Sequence, residues 1–131
     1  MSQLRNTLVQ CDLRWEDPQA NHAHLEKLLG ELDSRDTDLI VLPEMFATGF
    51  TMNSREMAQP MAESQSVAWL QAQAKARNCV MTGSVAIEED GEFYNRLIWA
   101  TPEGVLTHYD KRHLFRMAGE HERYGMGSER K

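Results

Sequence analysis

The chain contains few cysteines and no long apolar run. Its two cysteines, Cys11 and Cys79, do not have the paired spacing of a metal site, and both lie in apolar stretches typical of strands. We therefore expect two reduced, buried thiols and no bound metal. No apolar run approaches the roughly 20 residues that cross a membrane, and the first residues lack the apolar core of a signal peptide. These absences predict a cytoplasmic protein without a membrane partner.

The chain also lacks an excess of basic residues. It carries 14 Lys and Arg residues against 20 Asp and Glu residues, which gives a formal net charge of −6 and a pI near 5.3. This balance argues against a nucleic-acid partner. A flavodoxin-like nucleotide binder is a poor alternative, because the sequence has no glycine-rich phosphate loop. A length of 131 residues with 41% hydrophobic residues predicts one globular domain with a real core.

Apolar patterning predicts the element order β α β α β β β. The run from Leu39 to Leu42 has β-branched residues in its middle and is typical of a central strand that is buried on both faces. Asp17-Pro18 is a helix start, and Ser64 or Ser66 caps a second helix. The expected elements lie within residues 4–13, 17–32, 39–42, 64–78, 79–87, 93–100 and 105–109. Two helical crossovers followed by hairpins predict an α/β fold, a mixed sheet with helices on one face.

A carboxylate, Glu44, directly follows the expected central strand. Pro43 ends the strand because it has no N–H to donate, so Glu44 stands at the strand's carboxyl end. Ligands bind beyond the carboxyl ends of strands in parallel sheets, which makes Glu44 a candidate catalytic group. A helix N-cap or a loop salt bridge explains its position equally well.

A second dense group of charges follows the last expected strand, within residues 109–124. If Lys111 meets Glu44 over the sheet, each holds the other in its charged form. Lys111 would then stabilise an oxyanion while Glu44 moves protons. The alternative is a solvated basic patch with exposed ion pairs, formed by Lys111, Arg112 and Arg116 with Glu120 and Glu122.

Several segments together resemble the N-terminal half of the nitrilase superfamily of carbon-nitrogen hydrolases. They are residues 42–46 (LPEMF), 48–50 (TGF), 83–84 (GS), 95–96 (NR) and 109–115 (YDKRHLF). Residues 115–118 (FRMA), with Glu120, His121, Tyr124 and Gly127, resemble the omega-amidase branch and its bacterial 2-oxoglutaramate amidases. The matched segments occur in the family's order and cover nearly the whole chain.

The resemblance implies an αββα sandwich with a Glu, Lys, Cys triad. Glu44 matches the general base, Lys111 matches the lysine that steadies the tetrahedral intermediate, and Glu120 falls near an auxiliary glutamate. In the implied reaction a cysteine thiolate attacks a small ω-amide such as 2-oxoglutaramate, and water then hydrolyses the thioester. The products are the acid and ammonia, and no metal or organic cofactor is needed.

The family's nucleophilic cysteine lies beyond residue 131, and neither Cys11 nor Cys79 matches its context. We therefore expect residues 1–131 to be a carbon-nitrogen hydrolase domain truncated before the nucleophile and inactive alone. The family packs a second sheet on this one, so an apolar sheet face would be exposed and would favour a homo-oligomer or a complementary C-terminal half. The alternative is a non-catalytic fragment or interaction module.

Three further residues are candidates for substrate binding. Arg116 is suited to the carboxylate end of a 2-oxo acid amide, because guanidinium pairs bidentately with carboxylate. His113 flanks the lysine and is expected either to position substrate or to form a structural hydrogen bond. Phe115 is expected either to wall a pocket or to join the core.

Overall fold

The structure, a computed structural model, describes residues 3–129. Its strands are β1 (Asn6–Leu8), β2 (Leu39–Val41), β3 (Val80–Glu89), β4 (Glu92–Ala100) and β5 (Leu106–Asp110). Its α-helices are α1 (Pro18–Leu29), α2 (Ser54–Met57), α3 (Gln65–Arg77) and α4 (Glu120–Arg123), and short 3₁₀ turns cover Ser34–Asp36, Met61–Glu63 and Arg116–Ala118. The strands form a sheet in the order β1-β2-β3-β4-β5, with β1, β2 and β3 parallel and β3, β4 and β5 antiparallel. The expected mixed α/β sheet is confirmed.

The two long helices begin where the sequence places their caps. The Asp17 carboxylate accepts a hydrogen bond from the Ala20 N–H at 3.2 Å, and Pro18 occupies the first helical position. The Ser64 hydroxyl accepts from the Val67 N–H at 3.2 Å, so Ser64 rather than Ser66 caps α3. Asn78, in the left-handed conformation, ends that helix.

Both long helices pack on the same face of the sheet. Leucines of α1 and apolar residues of α3 join side chains from β2, β3 and β4 in one core that includes Leu25, Leu29, Leu70, Ala74, Ile40, Met81 and Ile98. This arrangement confirms the expected placement of helices on one face. Within the described residues, none of the helices is both long enough and apolar enough to span a bilayer.

The opposite face of the sheet is called here the open face. Glu120 of α4 and the following Tyr124 lie against one end of it, at Asn95 and Ala86, and the part around Leu97 and Trp99 stays partly exposed. Cross-strand partners share a face, and the register places Leu39, Val41, Thr82, Leu97, Trp99 and Tyr109 on it. Leu97 and Trp99 remain 40% and 39% exposed. The expectation that β2 is buried on both faces was therefore wrong: Ile40 is buried against the helices, whereas Leu39 and Val41 are only half-buried.

Two other expectations need correction. The first strand is shorter than the predicted stretch 4–13, because its pairing with β2 covers only Asn6–Leu8. Cys79 is buried as expected, but Cys11 lies beyond that short strand and is only half-buried.

Gly83 on β3 permits a close contact with the segment that follows β2. A Cβ atom at Gly83 would lie 2.6 Å from Cδ1 of the buried Phe46 ring, a distance that side chains do not tolerate. We expect Gly83→Ala to lower the free energy of unfolding by about 1–3 kcal/mol, the usual cost of overpacking a core. Urea unfolding followed by circular dichroism measures the change.

A double variant isolates the cause. Phe46→Leu removes the ring that the new methyl group would strike, so the Gly83→Ala cost should fall in that background. An unchanged cost would show that the ring contact is not the reason for the glycine.

Candidate active site

The strand directions bring Glu44 and Lys111 to the same edge of the sheet. β5 is antiparallel to β4, which is antiparallel to β3, so β2, β3 and β5 all end at this edge. The chain after β2 continues along β3: the Leu42 N–H donates to the Thr82 carbonyl at 2.8 Å, and the Met45 N–H donates to the Ser84 hydroxyl at 2.8 Å. This path carries Glu44 across β3 towards β4.

Met45, the next residue, has a φ of 52°, in the left-handed region that non-glycine residues seldom adopt. Its side chain is fully buried, and its N–H is held by Ser84. The surrounding contacts therefore impose a sharp turn immediately after Glu44.

Four polar side chains form a closed cluster at this edge. Lys111 Nζ lies 2.7 Å from Glu44 Oε2 and 3.1 Å from Glu120 Oε1. Asn95 Nδ2 donates to the same two carboxylates, at 2.7 Å to Glu44 Oε2 and 3.1 Å to Glu120 Oε2. Each donor thus bridges both glutamates, which fixes the four groups relative to one another.

The two glutamates differ in their access to solvent. The Glu120 side chain is 0% exposed and also accepts a hydrogen bond from the Phe115 N–H at 2.6 Å. The Glu44 side chain is 47% exposed, and its Oε1 has no hydrogen-bond partner among residues 3–129. Glu120 is placed to hold the lysine, whereas Glu44 has a free oxygen for a reacting group.

Lys111 is held in its charged form. Burial lowers the pKa of Lys111, but its hydrogen bonds to Glu44 and Glu120 outweigh burial, so the net pKa lies above the ordinary lysine value. Lys111 is therefore a fixed cation at neutral pH and not a proton acceptor. Such a cation can stabilise negative charge that develops on a substrate oxygen.

A cavity of about 280 Å³ opens beside this cluster. Glu44, Asn95 and Lys111 supply its polar wall, and Leu42, Leu97 and Tyr109 supply most of its apolar wall. Leu97 and Tyr109 belong to the open face, so the cavity lies on that side of the sheet. The cavity has room for a small molecule against the free oxygen of Glu44.

The structure brings only some of the predicted site residues together. Glu44, Lys111 and Glu120 are in direct contact. Arg116 and His113 line a different cavity and do not reach the cluster. Phe115 is half exposed, and its ring packs edge-on against Phe50 at 6.4 Å.

The geometry also decides between the alternatives for the charged residues. Glu44 does not cap a helix, because no described helix begins beside it; it is the loop salt bridge to Lys111. Lys111 does pair with Glu120, as the basic-patch alternative required, but the pair is buried rather than solvated.

Sequence reasoning gave no separate role to Asn95 and Arg96. Both are almost fully buried on β4, at 2% and 1% exposure. The Arg96 guanidinium holds Asp110, the residue before Lys111, at 2.7 and 3.0 Å, and the Asn95 carbonyl accepts from the Lys111 N–H at 3.0 Å. The sequence signal that could have identified them is the presence of two adjacent polar residues inside an apolar strand.

Neither cysteine belongs to the cluster. Burial raises the pKa of Cys79 and of Cys11, which is the opposite of what an activated thiol needs. Cys79 precedes β3 and so lies at the other edge of the sheet, and Cys11 packs against the core on the helix side. Within residues 3–129 no thiol lines the cavity at Glu44.

Comparison with known proteins places this cluster in a family. The sequence profile described as "Carbon-nitrogen hydrolase" matches residues 5–130. The chain is 47% identical to omega-amidase YafV of Yersinia enterocolitica, over all of this chain and 50% of that protein. It is 33% identical to the 2-oxoglutaramate amidase of Bacillus subtilis, over 92% of this chain and 47% of that protein.

Solved structures agree with these sequence matches. XC1258 from Xanthomonas campestris, a CN-hydrolase superfamily protein with an arsenic adduct in its active site, superposes with a TM-score of 0.93 at 44% identity. The alignment covers all of this chain and 49% of that one. The chain spans about half the length of the curated relatives it matches. Because the family profile covers nearly all of its residues, the chain belongs to the carbon-nitrogen hydrolase family.

Proposed function

We propose that this chain forms part of an amidase that hydrolyses the C–N bond of a small ω-amide to an acid and ammonia. The contact of Glu44 with Lys111, braced by Asn95 and Glu120 and open to a cavity, carries the proposal. Residues 1–131 are proposed to be the part of a carbon-nitrogen hydrolase domain that precedes its nucleophile.

In the proposed reaction Glu44 moves protons. Its free Oε1 accepts the proton of a thiol as the sulfur attacks the amide carbonyl, and Glu44 then gives that proton to the departing nitrogen. Ammonia leaves and a thioester remains. Glu44 next removes a proton from water as the water attacks the thioester, and the thiol regains a proton when the acid is released.

Lys111 and Glu120 have separate proposed roles. The Lys111 ammonium faces the cavity and stabilises the oxyanion that forms in each tetrahedral intermediate. The buried Glu120 does not line the cavity and keeps Lys111 in place and charged. Asn95 positions both glutamates, so all four groups act as one unit.

The proposed substrate is a small amide of the 2-oxoglutaramate type. A cavity of about 280 Å³ with an apolar wall suits a short chain rather than a peptide. The names of the two sequence relatives, an omega-amidase and a 2-oxoglutaramate amidase, support the same class. Arg116 and His113 remain predictions as substrate ligands, but their separate cavity does not favour them. Phe115 likewise remains a prediction as a substrate contact. It packs beside Phe50, whose ring centroid lies 5.1 Å from Lys111 Nζ.

We further propose that the open face is covered by the remaining half of the domain or by another copy of the chain. It carries Leu97 and Trp99 partly exposed next to the cavity. A thiol carried on the covering layer would then approach Glu44 from the open side.

Fragment complementation tests the proposed function. The purified chain is mixed with the separately expressed C-terminal half of the Yersinia enterocolitica relative, and ammonia release from 2-oxoglutaramate is measured. We expect release only from the mixture, and a rate about 10²- to 10⁴-fold lower with Glu44→Gln, since a general base contributes that much.

Glu103→Gln is the matched control, because it makes the same chemical change in an exposed turn at the other edge of the sheet. It should leave the rate unchanged. Equal rates for Glu44→Gln and the unaltered chain would exclude the proposed base. Glu44-dependent release by the chain alone would instead place a nucleophile within these residues and contradict the proposal that they precede it. A mixture that associates but releases no ammonia would favour a non-catalytic interaction module.

A further inference from the structure

A second cavity, of about 420 Å³, is formed by the segment that follows Lys111. The side chains that matter for its chemistry are Arg112, His113, Arg116, His121 and Tyr124. It shares no lining residue with the cavity at Glu44. The proposed amidase chemistry makes no use of it.

The walls of this second cavity are basic. Four of its lining residues are arginine or histidine, and none is aspartate or glutamate. Neither Arg112 nor Arg116 has a carboxylate within ion-pair distance among residues 3–129. The Glu122 carboxylate lies 3.9 Å from His121, and the Glu92 carboxylate lies beside Gly125 in the cavity wall. Two arginines without paired carboxylates among residues 3–129, flanked by two histidines, suit this cavity to a negatively charged ligand.

Arg112 shows where that charge would bind. Its Nε is buried and has no hydrogen-bond partner within residues 3–129. A buried N–H without an acceptor destabilises a protein, so such groups are nearly always satisfied by protein, water or ligand. A guanidinium is well matched to the paired oxygens of a carboxylate or phosphate.

Backbone hydrogen bonds fix the cavity walls. The Glu120 N–H donates to the Phe115 carbonyl at 3.2 Å, and the Glu120 carboxylate accepts from the Phe115 N–H. The Gly127 N–H donates to the Lys111 carbonyl at 3.0 Å, and the Tyr124 hydroxyl donates to the Thr51 carbonyl at 2.9 Å. The backbone that carries Arg112 and Arg116 is therefore held in place without a ligand, which lowers the entropy cost of binding one.

We infer that this cavity binds a small oxyanion, a carboxylate or a phosphate, through Arg112 and Arg116 with His113 and His121 as further donors. The chain neighbours of Arg112 and His121 are Lys111 and Glu120, which contact each other at 3.1 Å. A bound oxyanion would thus stiffen the segment that holds the candidate active site.

Calorimetric titration of the full chain at constant ionic strength and near-neutral pH tests this inference. The probes are inorganic phosphate and succinate, in separate experiments. We expect saturable binding of at least one probe, and the tighter of the two identifies whether a phosphate or a carboxylate is preferred. Arg112→Gln and Arg116→Gln should each weaken binding by about tenfold or more, because each removes a charge-assisted contact.

Arg123→Gln is the matched control, since Arg123 lies in the same segment, is exposed and does not line the cavity. It should change the affinity by less than about twofold, the effect of net charge alone. Equal weakening by Arg123→Gln, unchanged affinity in Arg112→Gln, or no saturable binding up to about 10 mM would each overturn the inference. Within residues 3–129 Arg112 Nε has no hydrogen-bond partner to lose, and circular dichroism of each variant verifies that the fold is retained.

Discussion

Replacing Lys111 with methionine is expected to lower the free energy of unfolding of this chain by about 3 kcal/mol, since breaking a buried ion pair from one side strands the other charge. Glu120 has no exposed side-chain surface, and among the described residues it keeps only the Asn95 and Phe115 N–H donors once the ammonium is gone. Glu44 loses the same cation but is half exposed, so water can solvate it. Urea unfolding followed by circular dichroism measures the loss.

The double variant Lys111→Met/Glu120→Gln separates charge from packing. Glutamine keeps the shape of Glu120 without its charge, so the double variant should regain much of the stability that Lys111→Met loses. A double variant as unstable as the single one would contradict the ion-pair explanation, because the loss would then come from the missing lysine stem.

The stability that the Lys111 ion pair contributes changes with pH in a defined direction. The pKa of Lys111 is raised in the folded chain, through hydrogen bonds to Glu44 and Glu120 that outweigh burial. Its contribution is therefore fully present below the ordinary lysine pKa of 10.5 and is lost as pH rises through the higher folded value. The stability difference between the unaltered chain and Lys111→Met should shrink above that pH. Buried Tyr124, whose pKa is also raised by burial, weakens both proteins alike and cancels in the difference.

The parts of the fold that sequence predicted well depend on local signals. Asp17 with Pro18 starts a helix because a capping carboxylate and a preset φ act within one turn. Pro43 after an apolar run ends a strand for an equally local reason, and Glu44 follows directly. Short-range chemistry of this kind can be recognised without knowing what packs nearby.

The depth of burial of β2 was not predictable in the same way. Ile40 and its neighbours Leu39 and Val41 are all apolar, yet only Ile40 is buried. The difference depends on whether a second layer covers the open face, and within residues 3–129 Leu39 and Val41 on that face remain only half-buried. The sequence of a strand reports the burial for which it is suited, not which layers are present.

The site shows the same division between local and long-range information. Glu44 and Lys111 each follow a strand, so their meeting at one edge was predictable from strand direction. The separation of Arg116 and His113 from them was not, because it depends on the irregular path of the chain after β5, which has no repeating pattern to predict it. Consequently Lys111 lines the cavity at Glu44, whereas the next residues, Arg112 and His113, line the second cavity.

Arg96→Met is expected to lower the free energy of unfolding by about 3–5 kcal/mol, the cost of stranding a buried charge. The Arg96 side chain is 1% exposed, and its guanidinium forms two hydrogen bonds to Asp110, which is 18% exposed. Methionine would fill much of the space but leave the Asp110 carboxylate without a cation. Arg96→Lys should recover only part of the loss, because an ammonium cannot form the paired contact. Urea unfolding measures both variants.

The chain supplies a matched control in Arg5, which makes the same paired contact with Asp38, at 3.2 and 3.0 Å. That pair is solvent-exposed, so Arg5→Met should change stability only slightly. Similar losses for Arg5→Met and Arg96→Met would contradict the importance given to burial. A large loss confined to Arg96 would indicate that its pairing with Asp110 fixes β4 against β5, and with them the neighbouring Asn95 and Lys111.

In the complemented amidase, Arg96→Lys should then reduce ammonia release even where the protein remains folded, because Lys111 would no longer be held against Glu44.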